Sequence, residues 1–175
     1  AFVPAAALTR VSSVRAEHTM PTLDYGNDCA VKGDPYISDC DYDGAGALLQ
    51  WIYGTLNQPA TTPPTGHIVA FDQSEFADFP AAHSLGSTGW VYVPAACEDG
   101  ARRCRLHVAF HGCEMQADRI GTRFVAEAGY NRWADGAGIV VLYPQARSSL
   151  MPLNPKACWD WWGYTGRDYD TRDGA

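Results

Sequence analysis

Residues 106–116, LHVAFHGCEMQ, form the stretch that decides the fold class. The run 106–110 is apolar with little alternation, which is typical of a strand buried on both faces of a parallel sheet. The run ends abruptly at His111, Gly112 and Cys113, and polar residues follow. In open α/β sheets, ligand and catalytic groups gather beyond the carboxyl ends of the strands. The pattern therefore predicts an α/β protein with a candidate site at residues 111–113.

The region after this strand predicts a strand–helix–strand unit. Apolar residues at helical spacing predict a helix over 120–134. The run IVVLY at 139–143 predicts a second strand, which stops at Pro144. A crossover of this kind joins parallel strands, so the sequence predicts a parallel pair within one sheet.

Further elements are predicted upstream of residue 106. Strands are expected over 8–16, 67–71 and 89–93, the last of them from its alternating pattern. Asp43 precedes the apolar run AGALLQWIYGTL and is expected to cap a helix. The segment 59–64, rich in proline, is expected to separate elements.

The composition bounds the kind of protein. The chain has 175 residues, of which 46% are hydrophobic, enough for the core of one domain. A net charge of −7 argues against nucleic acid or an anionic membrane as the main partner. The sequence has no apolar run of about 18 residues, the minimum for a membrane-spanning helix. The chain begins at Ala1 without the charged start of a signal peptide and ends in polar residues, so we expect a piece of a longer or processed protein.

The six cysteines indicate a disulfide framework. Six cysteines allow 15 pairings, and the sequence alone does not select one. Two short loops, CAVKGDPYISDC (29–40) and CEDGARRC (97–104), favour local bridges and would leave Cys113 with Cys158. The even count and local spacing favour an oxidising compartment, extracellular or periplasmic, over reduced thiols in a cytosolic protein. A structural zinc site is disfavoured because no C-x-x-C pair occurs.

The HGC turn has the residues of half an oxyanion hole. Gly112 lets a substrate approach the backbone, and the Cys113 N–H would be free to face a developing negative charge. The alternative is a simple strand-to-loop turn whose histidine is hydrogen-bonded locally. His107 and His111 would lie about 13 Å apart on a strand, too far to share one metal ion. A Cys113 thiol nucleophile needs a free thiolate, which a disulfide would remove.

The acidic segment 39–44, DCDYDG, is similar to the opening of a calcium-binding loop. Its twelfth position is Gln50, where such loops require a bidentate glutamate. The sequence therefore favours helix capping for this segment and predicts no metal site.

Several motifs occur in the order found in one enzyme family. They are HTMPT, YISDCDYDGAGALLQWIYG, VYVPAAC, LHVAFHGC, GYNRWAD, IVVLYPQA and CWDWWGY. From about residue 14 to residue 164 the chain resembles extracellular poly(3-hydroxybutyrate) depolymerases with a single-domain, circularly permuted α/β-hydrolase catalytic domain. The resemblance implies a partial α/β-hydrolase sheet stapled by disulfides, and an ester hydrolase that needs no metal or organic cofactor.

The resemblance also assigns roles to individual residues. The triad histidine of the family falls on His18, which would act first as general base and then as general acid. The second oxyanion N–H falls on the main chain of Cys113, and the oxyanion histidine falls on His111. An aromatic residue that packs against bound polyester falls on Trp161, whereas Trp159 is expected in the core. The disulfide pairings of the family would be Cys29–Cys40, Cys97–Cys104 and Cys113–Cys158.

The chain departs from the family in two members of the triad. No G-x-S-x-G occurs, and neither the nucleophilic serine nor the triad aspartate has a matching position. In the family both precede the histidine motif, and they would therefore lie before Ala1. We expect residues 1–175 to be a single incomplete catalytic domain, truncated at both ends, which does not hydrolyse esters by itself.

The function implied for the parent protein is serine-esterase hydrolysis of poly(3-hydroxyalkanoate). A monomer acting on a polyester or small ester is expected, with no nucleic-acid or membrane partner. Two alternatives stay open. The first is a related esterase that acts on acetyl or feruloyl esters of plant walls. The second is a non-catalytic domain that binds a polymer surface through its aromatic residues.

Overall fold

The computed structural model describes residues 3–57, 59, 63–100 and 102–171, which form strands and short helices. The strands are β1 (Met20–Thr22), β2 (Asn27–Asp28), β3 (Ile37–Asp39), β4 (His67–Asp72), β5 (Thr88–Val93), β6 (Arg105–Val108) and β7 (Ile139–Tyr143). The α-helices are α1 (Gly44–Tyr53), α2 (Ala117–Ile120), α3 (Arg123–Glu127) and α4 (Tyr130–Ala137). None of the helices in these ranges is long and apolar enough to cross a membrane.

The larger sheet has the strand order β4-β5-β7-β6. Strands β6 and β7 are parallel, with Arg105 opposite Ile139 and Val108 opposite Leu142. Strands β4 and β5 form an antiparallel extension on the other side of β7. The predicted α/β class is confirmed, as are the parallel crossover and the strands predicted over 67–71, 89–93 and 139–143. Both parallel strands end at the same edge, where the candidate turn begins.

The smaller sheet consists of three short parallel strands in the order β1-β3-β2. The strand predicted over 8–16 is wrong, because those residues form no strand and all but Val14 are exposed. The apolar residues of that segment pack against no neighbouring strand, so their alternating pattern is not enough to form a strand. The chain first enters a sheet at Met20, two residues after His18.

Strand β6 lies at the edge of the larger sheet, and only one of its faces is buried. The prediction that both faces are buried is wrong, since Leu106 and Phe110 are 60% and 59% exposed. On the opposite face, His107 and Ala109 are buried. The strand therefore delivers residues 109–113 to the end of the sheet with one apolar side facing outward.

The single helix predicted over 120–134 is wrong, because α2, α3 and α4 occupy that region. The breaks fall at Gly121 and Gly129, whose φ angles of 62° and 92° no continuous helix allows. The apolar spacing nevertheless identified side chains that face the core, including Ile120, Phe124 and Trp133. The short helices cover the sheet as one longer helix would.

The predicted cap of α1 is confirmed and also links two helices. One carboxylate oxygen of Asp43 accepts a hydrogen bond from the Gly46 N–H at 2.7 Å. The other oxygen accepts one from the Trp133 indole of α4, also at 2.7 Å. Both oxygens of Asp43 are therefore used, one in capping α1 and the other in packing α1 against α4.

An aromatic cluster forms the centre of the core beneath the candidate site. Tyr143 at the end of β7 is fully buried and contacts the rings of Phe124 and Tyr130. Its hydroxyl donates to the Asn131 side chain at 2.6 Å, so its polar atom is satisfied. The cluster fixes the carboxyl end of β7 and, next to it, the segment that starts at Pro144.

Candidate active site

His111 is buried at the carboxyl end of β6 and is held by main-chain groups on both sides. Its Nε2 accepts a hydrogen bond from the Ala146 N–H at 3.1 Å. The Nδ1 atom lies 2.7 Å from the Gly112 carbonyl oxygen and therefore donates to it. Burial lowers the pKa of His111, although the bond to Gly112 opposes that effect. A neutral ring with both nitrogens engaged is suited to positioning the turn rather than to contacting a ligand.

The Cys113 N–H lies directly beyond His111 and Gly112. Among the described residues, no acceptor forms a hydrogen bond with this N–H. A side chain at position 112 would place its Cβ 2.9 Å from the Met115 sulfur, so the turn is tight there. Glu114 adopts a left-handed conformation with φ of 64°, which redirects the chain immediately after Cys113. The exposed turn thus presents one main-chain donor at the carboxyl edge of the sheet.

Glu114 anchors this turn through several contacts. Its N–H donates to the Lys156 carbonyl at 2.7 Å. Its carboxylate forms ion pairs with Arg119 and Lys156 and accepts a hydrogen bond from the Tyr36 hydroxyl at 3.3 Å. The hydrogen bond from Lys156 and the charge of Arg119 lower the pKa of the carboxyl. Glu114 thereby ties the turn to three separate parts of the chain.

A disulfide between Cys113 and Cys158 fixes the same turn covalently. Asn154 supports Cys158 from within the protein, because its side chain binds both the N–H and the carbonyl of that residue. The bridges Cys29–Cys40 and Cys97–Cys104 are also present. All three pairings implied by the family resemblance are confirmed.

His18 is exposed and lies just before β1. Its neighbours hold the main chain in place: the Glu17 N–H donates to the Cys29 carbonyl at 3.0 Å, and the hydroxyls of Thr19 and Ser38 lie 2.8 Å apart. The His18 ring forms no hydrogen bond with the residues that the structure describes. The imidazole is therefore available to a group outside these ranges.

The segments that carry His18 and Cys113 meet through Tyr36. The Met20 N–H donates to the Tyr36 carbonyl at 2.8 Å, and the Tyr36 hydroxyl reaches Glu114. Register places Met20 opposite Ile37, so the start of β1 and the start of β3 lie side by side. The two segments are thus linked through Tyr36 and Glu114.

Trp161 lies on a loop that the disulfide joins to the turn, and it is 71% exposed. The loop is held by the Asp160 carboxylate, which accepts hydrogen bonds from four main-chain N–H groups and from the Thr165 hydroxyl. Burial acts to raise the pKa of Asp160, but these hydrogen bonds outweigh it and lower the pKa to about 2. Trp161 contacts Trp162 edge to face, with ring centroids 5.1 Å apart.

Trp159 contacts the residues directly before the turn. Its indole N–H donates to the His111 carbonyl at 3.0 Å, and its ring packs against Phe110 and His111. The prediction that Trp159 lies in the core is wrong, because the residue is only half-buried and lies outside the cluster of buried core residues. Trp159 and Trp161 therefore divide into a packing residue and an exposed residue.

The sequence did not indicate the anchoring roles of Glu114, Asn154 and Asp160. Glu114 adopts a left-handed conformation and contacts residues distant along the chain, which no local pattern encodes. Asn154 binds Cys158 only four residues away, but no sequence motif indicates this pair. Asp160 had a usable signal, because an aspartate followed by a glycine three residues later is typical of a side-chain-capped turn. In the part of the chain that the structure describes, no group of three or more His, Cys, Asp or Glu side chains is placed to hold a metal ion.

Two known proteins are similar to this chain in sequence. The chain is 47% identical over 175 residues to a poly(3-hydroxybutyrate) depolymerase of Delftia acidovorans, covering 99% of this chain and 34% of that protein. It is 41% identical over 186 residues to a polyhydroxybutyrate depolymerase of Talaromyces funiculosus, covering 99% of this chain and 54% of that protein. No protein-family model matches the chain.

Two solved structures share the fold. The crystal structure of a PHB depolymerase from Penicillium funiculosum has a TM-score of 0.90 and 40% identity, covering 97% of this chain and 56% of that one. A point variant of a PHB depolymerase in complex with an R3HB trimer has a TM-score of 0.84 and 42% identity, covering 90% and 52%. The predicted resemblance is confirmed, and so is its partial extent: the chain spans one third to about half of the proteins it matches.

Proposed function

We propose that this chain, which is similar to part of the PHB depolymerases, supplies half of the active site of a carboxylic-ester hydrolase acting on poly(3-hydroxyalkanoate). The observation that carries the proposal is the Cys113 N–H. It lies at the carboxyl edge of the parallel strands, has no acceptor among the described residues, and is held by a disulfide and by Glu114. A main-chain donor that is held in place and has no acceptor among the described residues is what acyl transfer requires for a developing oxyanion.

The proposed reaction is a two-step acyl transfer. A serine, which has no match in residues 1–175, attacks the ester carbonyl while His18 takes its proton. The Cys113 N–H donates to the oxygen of the tetrahedral intermediate, a bond worth about 2.7–4 kcal/mol in the transition state. His18 then gives the proton to the leaving alcohol, and water releases a hydroxy acid or short oligomer.

The other predicted residues have supporting roles in this proposal. His111 positions the turn, because its two ring nitrogens bind the main chain at Gly112 and Ala146. Trp161 offers an exposed apolar face on the loop that the disulfide attaches to the turn. The three disulfides support an extracellular or periplasmic location, where such bonds persist.

Substitution of His18 in the full-length protein tests the proposal. His18→Ala should abolish turnover of a short-chain p-nitrophenyl ester and leave the fold intact, since the ring is exposed and forms no hydrogen bond with the described residues. His67→Ala is the matched control, because His67 is an exposed histidine on β4, away from the turn. Turnover retained by His18→Ala would contradict the assignment.

The isolated chain provides a second test. Purified residues 1–175 should release no acyl group from the same ester, because no serine stands in a G-x-S-x-G context. Turnover that depends on His18 in this preparation would contradict the proposal. A substrate panel on the full-length protein separates the depolymerase from the alternative esterase, which would prefer acetyl or feruloyl esters.

The binding-domain alternative is favoured by one observation, the exposed pair Trp161 and Trp162. If the chain is a polymer-binding domain, the full-length protein should adsorb to poly(3-hydroxybutyrate) granules but should not hydrolyse esters. Turnover that His18→Ala removes would exclude a purely non-catalytic domain.

A further inference from the structure

A cavity of about 440 Å³ opens next to the segment that follows β7, at the carboxyl end of that strand. It lies between the segment after β7, the start of β5 and helix α2. Ligand pockets of this size are common in proteins, where a few polar groups orient the ligand and apolar groups contact the rest of it. The lining combines polar and apolar residues, among them Leu85, Thr88, Trp90, Asp118, Thr122 and Arg147.

Arg147 gives this cavity its chemical character. Its guanidinium forms no ion pair with the described residues, and its Nε has no hydrogen-bond partner among them. An unpaired guanidinium in a cavity wall can donate to both oxygens of an anion through its terminal nitrogens. The main chain is fixed at this point, because the Arg147 N–H donates to the Ser84 carbonyl at 2.8 Å. The cavity is therefore suited to a carboxylate.

The rest of the lining limits what else the ligand carries. Asp118 adds a carboxylate that, within the part of the chain that the structure describes, forms no ion pair with Arg147 and would disfavour a ligand with several negative charges. Hydroxyls of Thr88 and Thr122 can bond to a ligand hydroxyl, and Asp118 can accept from one. Trp90 provides apolar surface for a short alkyl chain. Together these groups match a small hydroxy acid with one carboxylate.

The cavity is coupled to the candidate oxyanion turn through His111. Ala146, which lines the cavity, donates its N–H to His111, whose other nitrogen binds Gly112. Ala117, also in the lining, follows Cys113 by four residues. The cavity wall is thus connected to the turn through Ala146 and His111.

We propose that this cavity binds the free carboxylate of a short 3-hydroxy acid, with Arg147 as its ion-pairing residue. The choice of a 3-hydroxy acid rests on the proposed function, because such acids are the products of polyester hydrolysis. The requirement for a carboxylate rests on Arg147 alone. Occupancy by product would make the acid an inhibitor of the full-length protein.

Titration calorimetry of the full-length protein with (R)-3-hydroxybutyrate tests the assignment. We expect Arg147→Gln to weaken binding at least tenfold, and methyl 3-hydroxybutyrate, which lacks the charge, to bind at least tenfold more weakly than the acid. Arg103→Gln is the matched control, because Arg103 is an exposed arginine outside the cavity lining. It should bind the acid as the unsubstituted protein does.

A second variant guards against misfolding of Arg147→Gln. Ala81 is exposed at the cavity wall, so Ala81→Phe should fill the space without disturbing the core and should abolish binding. Equal binding of the acid and the methyl ester, or unchanged binding in both variants, would overturn the assignment of the cavity. Ester hydrolysis could persist in that case, because it does not depend on this assignment. If the acid binds better than the methyl ester and Arg147→Gln removes this preference, the assignment of the cavity is supported, whether or not the protein hydrolyses esters. Absence of ester turnover would contradict only the proposed function.

Discussion

His111 accepts a hydrogen bond from the Ala146 N–H at 3.1 Å, which joins the turn after β6 to the segment after β7. The same ring binds the Gly112 carbonyl, so one buried side chain holds the main chain directly before Cys113. A role of this kind is positional, and it can be separated from direct contact with substrate.

The first prediction concerns this bond. His111→Ala should lower kcat of the full-length protein at least tenfold and destabilise it by about 2–4 kcal/mol, because the change leaves the Ala146 N–H unpaired and opens space in the core. His111→Gln, which keeps polar atoms at the site, should recover part of both losses. Denaturant unfolding and ester turnover measure the two effects. Full activity in the alanine variant would show that the turn does not need the ring.

The second prediction concerns pH. Burial lowers the pKa of His111 and of His107 in the folded protein, so both rings are neutral there. In the unfolded chain they titrate near 6.5, so protonation favours unfolding. The free energy of unfolding should be at its full value above about pH 6.5 and fall as the pH drops toward 5. Urea unfolding at pH 7.5 and pH 5 measures this, and His111→Gln should reduce the difference; an unchanged difference would contradict the assignment to His111.

The third prediction concerns the disulfides. Removal of the Cys113–Cys158 bridge should lower the free energy of unfolding by about 4 kcal/mol, and removal of Cys97–Cys104 by about 2.4 kcal/mol. The difference follows from loop-closure entropy, because the bridges span 45 and 7 residues. Replacing both cysteines of the first bridge by alanine should also lower kcat, since that bridge holds the oxyanion turn. The same replacement at Cys97–Cys104 serves as the control and should leave kcat unchanged. Equal kcat in the two double variants would show that the bridge does not position the turn.

The fourth prediction concerns Trp161. Trp161→Ala should slow hydrolysis of polymer at least fivefold while leaving a small soluble ester nearly unaffected, because the exposed ring would contact only a long chain. Asp160→Asn should have the same selective effect by loosening the loop. Trp51→Ala is the control, since Trp51 is 52% exposed on α1. Equal losses on polymer and small ester would count against a role in contacting the polymer.

Sequence patterns predicted elements wherever a single local signal dominated. Strand β7 has its predicted boundaries because a β-branched run is stopped by Pro144, and α1 begins at Gly44 because Asp43 caps it. The segment 8–16 carried a strand-like alternation, yet no partner strand lies beside it. The segment 120–134 carried helical spacing, yet its two glycines adopt positive φ angles. A local pattern predicts which face of a segment is apolar. Whether that segment forms a helix or a strand depends on the residues that pack against it.

The candidate site was predictable only in part for the same reason. The HGC turn and the disulfides could be identified from motifs, and the structure confirms the three bridges. The roles proposed for His18, Cys113 and Trp161 stay predictions. The contacts that hold the turn depend on Glu114, whose partners Tyr36 and Lys156 are 78 and 42 residues away along the chain. No motif encodes contacts of that separation.

The outward apolar side of β6 has a consequence for handling the chain in solution. An edge strand that exposes Leu106 and Phe110 offers a template on which a second copy can add its own strand. The average molar mass from light scattering should therefore increase with protein concentration, and Leu106→Lys should suppress the increase. The strand that leads to the candidate turn is, by this reasoning, also where aggregation of the isolated chain would begin.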